Sequence, residues 1–105
     1  MSDALGLENI HVISAVFKDT PSIQKAVVFG SRAKGNYKKN SDVDIALYGD
    51  IIPSETEKVK CDLEELPFIY KFDVVAYNSV KNEALREHID RVGVVIYEKG
   101  GGNEI

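Results

Sequence analysis

The sequence predicts an α/β (α+β) domain in which a small mixed sheet of about four strands is backed by helices in two layers. Apolar runs of strand length alternate with segments whose apolar residues recur every three or four positions. Turn and capping residues separate these segments, giving the order α-β-(short turn or helix)-β-α-β-α-β. The 105 residues suffice for one domain. We assign residues 1–99 to it, and residues 100–105, which begin with three glycines, to a flexible tail.

The first half of the domain is predicted to hold one helix and two strands. One helical face carries Ile10, Ile13, Val16 and Phe17. We expect that helix to end near Lys18, where a breaker follows at residues 19–22. The segment IQKAVVFG at residues 23–30 predicts a strand, and its run at residues 26–29 is apolar on both faces, which predicts an interior position. The segment VDIALY at residues 43–48 predicts the second strand.

A capping signal opens the next predicted helix. Residues 54–57 have the S-x-x-E form of a capping box, and Pro53 stands at the boundary. The helix is expected to stop before Pro67, and one of its faces carries Val59, Leu63 and Leu66. The segment KFDVVAY at residues 71–77 predicts the third strand.

The last predicted helix is bounded by a capping asparagine and a glycine. Asn82 is placed as its N-cap and Gly93 as its C-cap. Its apolar stripe carries Leu85, Ile89 and Val92. The segment VVIYEK at residues 94–99 predicts the fourth strand. We expect a surface or boundary position for both histidines, His11 and His88, because neither has an obvious partner in the sequence.

Composition excludes several classes of function. Thirteen Lys and Arg residues against seventeen Asp and Glu residues give a net charge of −4. This balance argues against direct binding of duplex nucleic acid, which needs a broad basic face. The single cysteine, Cys61, cannot form an internal disulfide, and no Cys/His cluster suggests zinc. The N-terminus lacks a signal-peptide pattern and no apolar run is long enough to span a membrane, so we expect a cytoplasmic protein.

Two aspartates stand at the start of the second predicted strand. Side chains alternate across a strand, so Asp42 and Asp44 share one face while Val43 and Ile45 enter the core from the other. Two carboxylates about 4 Å apart repel each other by about 1–4 kcal/mol, depending on the effective dielectric. A divalent cation removes this cost, and carboxylates with phosphate oxygens and water are the usual ligands of Mg²⁺.

A third carboxylate, Asp73, occupies the corresponding face of the third predicted strand. If the two strands are neighbours, three carboxylates converge, as in two-metal sites for phosphoryl or nucleotidyl transfer. Tyr48 and Tyr77 fall on the same side of their strands, where they line the cleft or pack under a helix.

A glycine turn and a cationic loop precede the aspartates. Gly30 directly follows the interior strand and lets backbone approach a ligand closely. Residues 31–34 can begin a helical turn whose free N–H groups and Ser31 hydroxyl face an anion. The cations of the loop can bind a polyphosphate: Arg32, Lys34, Lys38 and Lys39. Each feature alone is typical of a solvated loop, but the three in this order favour a metal-dependent phosphate site. Neither a P-loop nor a G-x-G-x-x-G fingerprint is present.

The segments GSRAKG at residues 30–35 and SDVDI at residues 41–45 resemble the signature of the DNA polymerase β-like nucleotidyltransferases. They are most similar to the minimal nucleotidyltransferases, whose pattern is close to G-S-R-A-[RK]-G-x-x-x-x-x-S-D-x-D-[LI]. Chain length, element order and the later Asp73 agree with that family.

The resemblance implies Mg²⁺, with two ions expected, and ATP as substrate. It implies that the Gly30 backbone and Ser31 hold the β- and γ-phosphates. It also implies that Asp42 and Asp44 ligate both metals, and that Asp73 ligates the catalytic metal and helps deprotonate the acceptor hydroxyl. Arg32 and Lys34 are expected to contact the phosphates or a partner.

Minimal members of this family commonly act as antitoxins of a helical HEPN ribonuclease toxin. The resemblance therefore implies transfer of AMP from ATP to a tyrosine hydroxyl of such a toxin, in a hetero-oligomer. An alternative is a binding module that neutralises its partner without catalysis. Transfer to a small molecule, as in aminoglycoside nucleotidyltransferases, is disfavoured because we expect no second domain to enclose a drug-sized acceptor.

Overall fold

A computed structural model describes residues 10–35, 42–68 and 70–100 of the chain. The helices are α1 (Ile10–Phe17), α2 (Ser31–Lys34), α3 (Pro53–Glu64) and α4 (Glu83–Val92), and a 3-10 turn covers Tyr77–Ser79. The strands are β1 (Ile23–Phe29), β2 (Val43–Gly49), β3 (Phe72–Ala76) and β4 (Val94–Glu98). Within these ranges no helix has the length and apolarity that crossing a membrane requires. Apart from Gly100, the predicted tail lies outside the described residues.

The four strands form one mixed sheet in the order β3-β2-β1-β4. Strand β1 pairs antiparallel with both β2 and β4, whereas β2 and β3 are parallel. The parallel pair needs a crossover, which α3 provides between the two strands. The predicted class is confirmed, and β2 and β3 are neighbours, as the convergence of their aspartates requires.

Helices cover both faces of the sheet rather than one. Helices α1 and α3 pack on the face that carries the main core, whose buried residues include Ile13, Phe17, Val28, Ile45, Val59 and Leu63. Helix α4 packs on the opposite face, where Ile89 contacts a second buried cluster with Val27, Phe29 and Ala46. The two-layer expectation is therefore wrong for α4. The physical reason is that β1 is apolar on both faces, so each face needs a cover.

Helix α3 begins earlier than its sequence signal predicts. Its first residue is Pro53 and its N-cap is Ile52, so Ser54 lies inside the first turn and the capping box at residues 54–57 is wrong. The backbone N–H of Ile52 donates to the Glu55 carboxylate at 3.1 Å. Proline suits the first helical position because its missing N–H would have no partner there.

The N-cap predicted at Asn82 is confirmed, since its side-chain oxygen accepts the N–H of Leu85 at 3.1 Å. We expect Asn82→Ala to lower the free energy of unfolding by about 1 kcal/mol and Tm by about 4–8 °C, because the amide loses its acceptor. Thermal unfolding measures the effect. The matched variant Asn82→Ser keeps an acceptor and should stay close to wild type, so an equal loss in both variants would contradict this role.

Candidate active site

Two aspartates face each other across the parallel strands. Asp44 of β2 and Asp73 of β3 are register partners, so their side chains leave neighbouring strands at the same level. Asp44 is half-buried, whereas Asp73 is exposed. Asp42 immediately precedes β2 and is also exposed. Both register partners lie on the sheet face that α4 partly covers, because Asp44 alternates with the core residues Val43 and Ile45.

The neighbouring negative charges act on Asp44. Burial, followed by the charges of Asp73 and Asp42, raises the pKa of Asp44 from 3.8 to about 6. At neutral pH the Asp44 carboxylate is therefore held in a position that opposes its charge. A bound cation would reverse this effect, which makes the donor set chemically suited to Mg²⁺.

Metal binding at this site depends on how many ligand side chains lie close together. No three His, Cys, Asp or Glu side chains among residues 10–35, 42–68 and 70–100 form a group that could hold a metal ion. Mg²⁺ is commonly bound by one or two carboxylates together with substrate phosphates and water. Asp44 and Asp73 supply such a pair of carboxylates, and the role of the three aspartates as ligands stays a prediction.

The Gly30–Ser31 turn lies directly against Asp44. Phe29, the last residue of β1, is the register partner of Asp44, and the chain then turns into α2. Gly30 has a φ of 80°, which L side chains rarely adopt, and a Cβ placed on it would overlap the Asp44 carboxylate oxygen. Only glycine therefore lets the turn approach the carboxylate this closely.

Helix α2 confirms the predicted helical turn after Gly30. The N–H of Lys34 donates to the Gly30 carbonyl at 3.0 Å. Ser31 is half-buried at the first helical position. The first N–H groups of a helix have no acceptor within it, so they are available to an anion near the Asp44 carboxylate.

The cations of this region differ in their surroundings. Arg32 is only 1 % exposed, and its guanidinium carbon lies 4.8 Å from the ring centroid of Tyr70. Lys34 is exposed. Residues 36–41, which include the predicted cations Lys38 and Lys39, lie outside the described ranges. Contacts of Arg32 and Lys34 with phosphate stay predictions.

Two tyrosines extend the same face away from the aspartates. The rings of Tyr48 and Tyr77 stack with centroids 4.4 Å apart and planes at 17°. Both pack against the cluster that includes Ile89 of α4, and the Tyr77 hydroxyl donates to Asp90 of α4 at 2.8 Å. Of the two alternatives, packing under a helix is the one that the structure shows.

His88 is the residue of this region that the sequence reasoning missed. The Gly30 N–H donates to His88 Nε2 at 3.2 Å, and the imidazole lies edge-on to Phe29 with ring centroids 6.1 Å apart. A signal was available in the sequence, because His88 is three residues after Leu85 and four before Val92. Those positions share the apolar stripe of α4.

A glycine turn at the end of β1 lies against Asp44 of β2, whose register partner is Asp73 of β3. This arrangement agrees with a nucleotidyltransferase-type domain. Residues 11–100 match the family described as "Polymerase beta, Nucleotidyltransferase". The chain belongs to this family.

Individual relatives agree with this assignment. The chain is 26% identical over 88 residues to the protein named "Putative protein adenylyltransferase MJ0141" from Methanocaldococcus jannaschii, covering 80% of this chain and 87% of that one. Its fold resembles a toxin-antitoxin crystal structure with AMP-PNP (TM-score 0.74, 21% identity, 91% of this chain and 77% of that chain). It also resembles the complex of a tri-AMPylated HEPN toxin from Shewanella oneidensis with its MNT antitoxin (TM-score 0.66, 19% identity, 91% and 75%).

Proposed function

We propose that this protein is a Mg²⁺-dependent nucleotidyltransferase antitoxin. It transfers AMP from ATP to a tyrosine hydroxyl of a partner HEPN ribonuclease toxin, in the cytoplasm. The observation that carries the proposal is the placement of the Gly30 turn against Asp44, with Asp73 as the register partner of that aspartate. The first turn of α2 and a carboxylate pair suit the two halves of one ligand, a metal-bound triphosphate.

Each site residue has a role in this reaction. Asp42, Asp44 and Asp73 would hold Mg²⁺, which supplies charge neutralisation at the phosphates. The Gly30–Ser31 turn orients the β- and γ-phosphates. The Asp73 carboxylate accepts the proton of the attacking hydroxyl, whose oxygen bonds to the α-phosphorus while pyrophosphate leaves. Its exposure on the face of β3 gives an acceptor side chain access to it.

The cations divide into two proposed roles. Lys34 is exposed at the end of α2 and is able to reach a phosphate or a partner surface. Arg32, in the same helix, is buried against Tyr70. We therefore assign Lys34 to direct contact with a phosphate or a partner surface. We assign Arg32 to a contribution of positive charge from its buried position.

The relatives support the choice of substrate and partner. One relative carries the name of a protein adenylyltransferase, and the solved complexes pair antitoxins of the same fold with toxins. In one of these complexes the HEPN toxin carries AMP. Toxin, ATP and AMP transfer come to this chain by likeness, so they are tested directly.

Intact-mass spectrometry of the co-expressed partner toxin tests the proposal. With Mg²⁺ and ATP, wild type is expected to add the mass of at least one AMP unit. The double variant Asp42→Asn/Asp44→Asn should add none, because the carboxylates that hold the metal are lost. If wild type adds no AMP, the enzymatic proposal fails. If the double variant still protects cells fully from the toxin, neutralisation by direct binding replaces it.

A further inference from the structure

Gly30 lies where three elements meet. Its N–H donates to His88 of α4 at 3.2 Å. Its carbonyl accepts the N–H of Lys34 in α2 at 3.0 Å. Its Cα leaves no room for a Cβ beside the Asp44 carboxylate of β2. Hydrogen bonds to α4 and α2 therefore hold the turn directly beside the Asp44 carboxylate of β2.

Helix α4, which carries the His88 imidazole, is fixed to the sheet by several contacts. Ile89, the residue after His88, is 1 % exposed in the cluster between α4 and the sheet. Asn82 caps the first turn of α4, and the Tyr77 hydroxyl donates a hydrogen bond to Asp90 near the end of the helix. The edge of the His88 ring also meets the ring of Phe29, the residue before Gly30. The hydrogen bond thus joins a fixed helix to the turn across 58 positions of the chain.

We propose that His88 is a positioning residue of the nucleotide site, which acts through Gly30 and does not touch the triphosphate. Its Nε2 accepts the Gly30 N–H, so the proton of the neutral ring is on Nδ1. This bond keeps the turn at the separation from Asp44 at which both act on one triphosphate. The inference rests on the proposed function and deepens it.

The bond also restricts which groups bind phosphate. A single N–H makes one strong hydrogen bond, and in this structure the Gly30 N–H already has His88 as its acceptor. The β- and γ-phosphates are then left to the Ser31 hydroxyl and to the N–H groups that follow Gly30. The glycine contributes its conformation and its lack of a side chain rather than its N–H.

Three variants separate the hydrogen bond from ring packing. His88→Gln keeps an acceptor, His88→Phe keeps a ring against Phe29 but removes the acceptor, and Glu87→Ala changes an exposed neighbour on α4.

We expect His88→Phe to raise KM for ATP, and the Kd of a non-hydrolysable ATP analogue with Mg²⁺, by on the order of tenfold. His88→Gln should remain within about threefold of wild type, the change expected when a neutral hydrogen bond is weakened but kept. Glu87→Ala should match wild type. Equal KM values for the Gln and Phe variants would overturn the inference.

A spectroscopic measurement on the nucleotide-free wild type tests the hydrogen bond directly. A scalar coupling across the hydrogen bond, between the Gly30 amide nitrogen and His88 Nε2, is expected in ¹⁵N-labelled protein and should vanish in His88→Phe. Absence of the coupling in the folded wild type would overturn the inference. So would failure of wild type to bind the analogue.

The two proposals fail in different ways. If wild type transfers AMP but His88→Phe and His88→Gln behave alike, only the role of His88 is lost. If wild type transfers no AMP while the coupling is present and analogue binding ranks the variants as expected, only the transfer reaction is lost.

Discussion

Replacing Gly30 with alanine is expected to lower AMP transfer by at least about a hundredfold, since a displacement of about 1 Å at a reacting site costs that much. Two effects act together at this position. The backbone φ of 80° is strained for an L residue, and the new methyl group would overlap the Asp44 carboxylate. Either the turn or Asp44 must move, and in the proposed reaction both hold one triphosphate.

The chain offers a matched control for the strain alone. Gly35, at the other end of α2, has a φ of 88°, and a Cβ on it would meet nothing within 4 Å. Gly35→Ala is therefore expected to lower the free energy of unfolding by about 1 kcal/mol and to leave transfer within about threefold of wild type.

Initial rates of AMP transfer and urea unfolding of both variants provide the comparison. Gly30→Ala should lose more transfer than its stability accounts for, because the overlap lies at the site. Equal rates for the two variants would show that the closeness of Gly30 to Asp44 has no part in the reaction.

The placement of Asp44 and of the glycine turn could be predicted from the sequence because it follows strand periodicity and turn chemistry. Alternation along β2 placed Asp44 opposite Val43 and Ile45, and the core positions of these two residues agree with that assignment. Gly30, directly after the apolar strand β1, predicted the turn. Each signal is carried by residues within a few positions of one another, which is the range over which sequence patterns report structure.

The apolar stripe of α4 could have indicated that His88 faces the sheet, but the partners of His88 and Arg32 could not be predicted from the sequence. The bond between His88 and Gly30 spans 58 positions, and it forms only because α4 docks on the second face of the sheet. Arg32 is expected to contact phosphate or a partner, and its burial against Tyr70 was not predicted. A charge in a short helix gives no local sign of the aromatic ring that covers it.

Replacing Asp44 with asparagine is expected to abolish transfer and yet to stabilise the metal-free fold. Transfer should fall by at least about 10³-fold, since charge stabilisation by a bound metal is worth several kcal/mol. The difference between pKa values of 3.8 and about 6 corresponds to about 3 kcal/mol in a dry site, and solvent screening at this half-buried position reduces it to about 1–2 kcal/mol. At pH 7.5 with a chelator, Tm should therefore rise by about 5–10 °C.

The pH dependence identifies the cause of this gain. The raised pKa means that folded Asp44 binds a proton more tightly than it does in the unfolded chain. Its favourable contribution is thus fully present below about pH 4 and is lost as the pH rises through about 6. The advantage of Asp44→Asn should grow over that interval and vanish below it.

Asp50→Asn, at an exposed carboxylate after β2, should stay within about 0.5 kcal/mol of wild type throughout. Added Mg²⁺ should raise Tm of wild type more than that of Asp44→Asn, because the cation offsets the charge that the variant lacks. A gain that is the same at pH 4 and pH 7.5 would mean that the carboxylate charge is not its source.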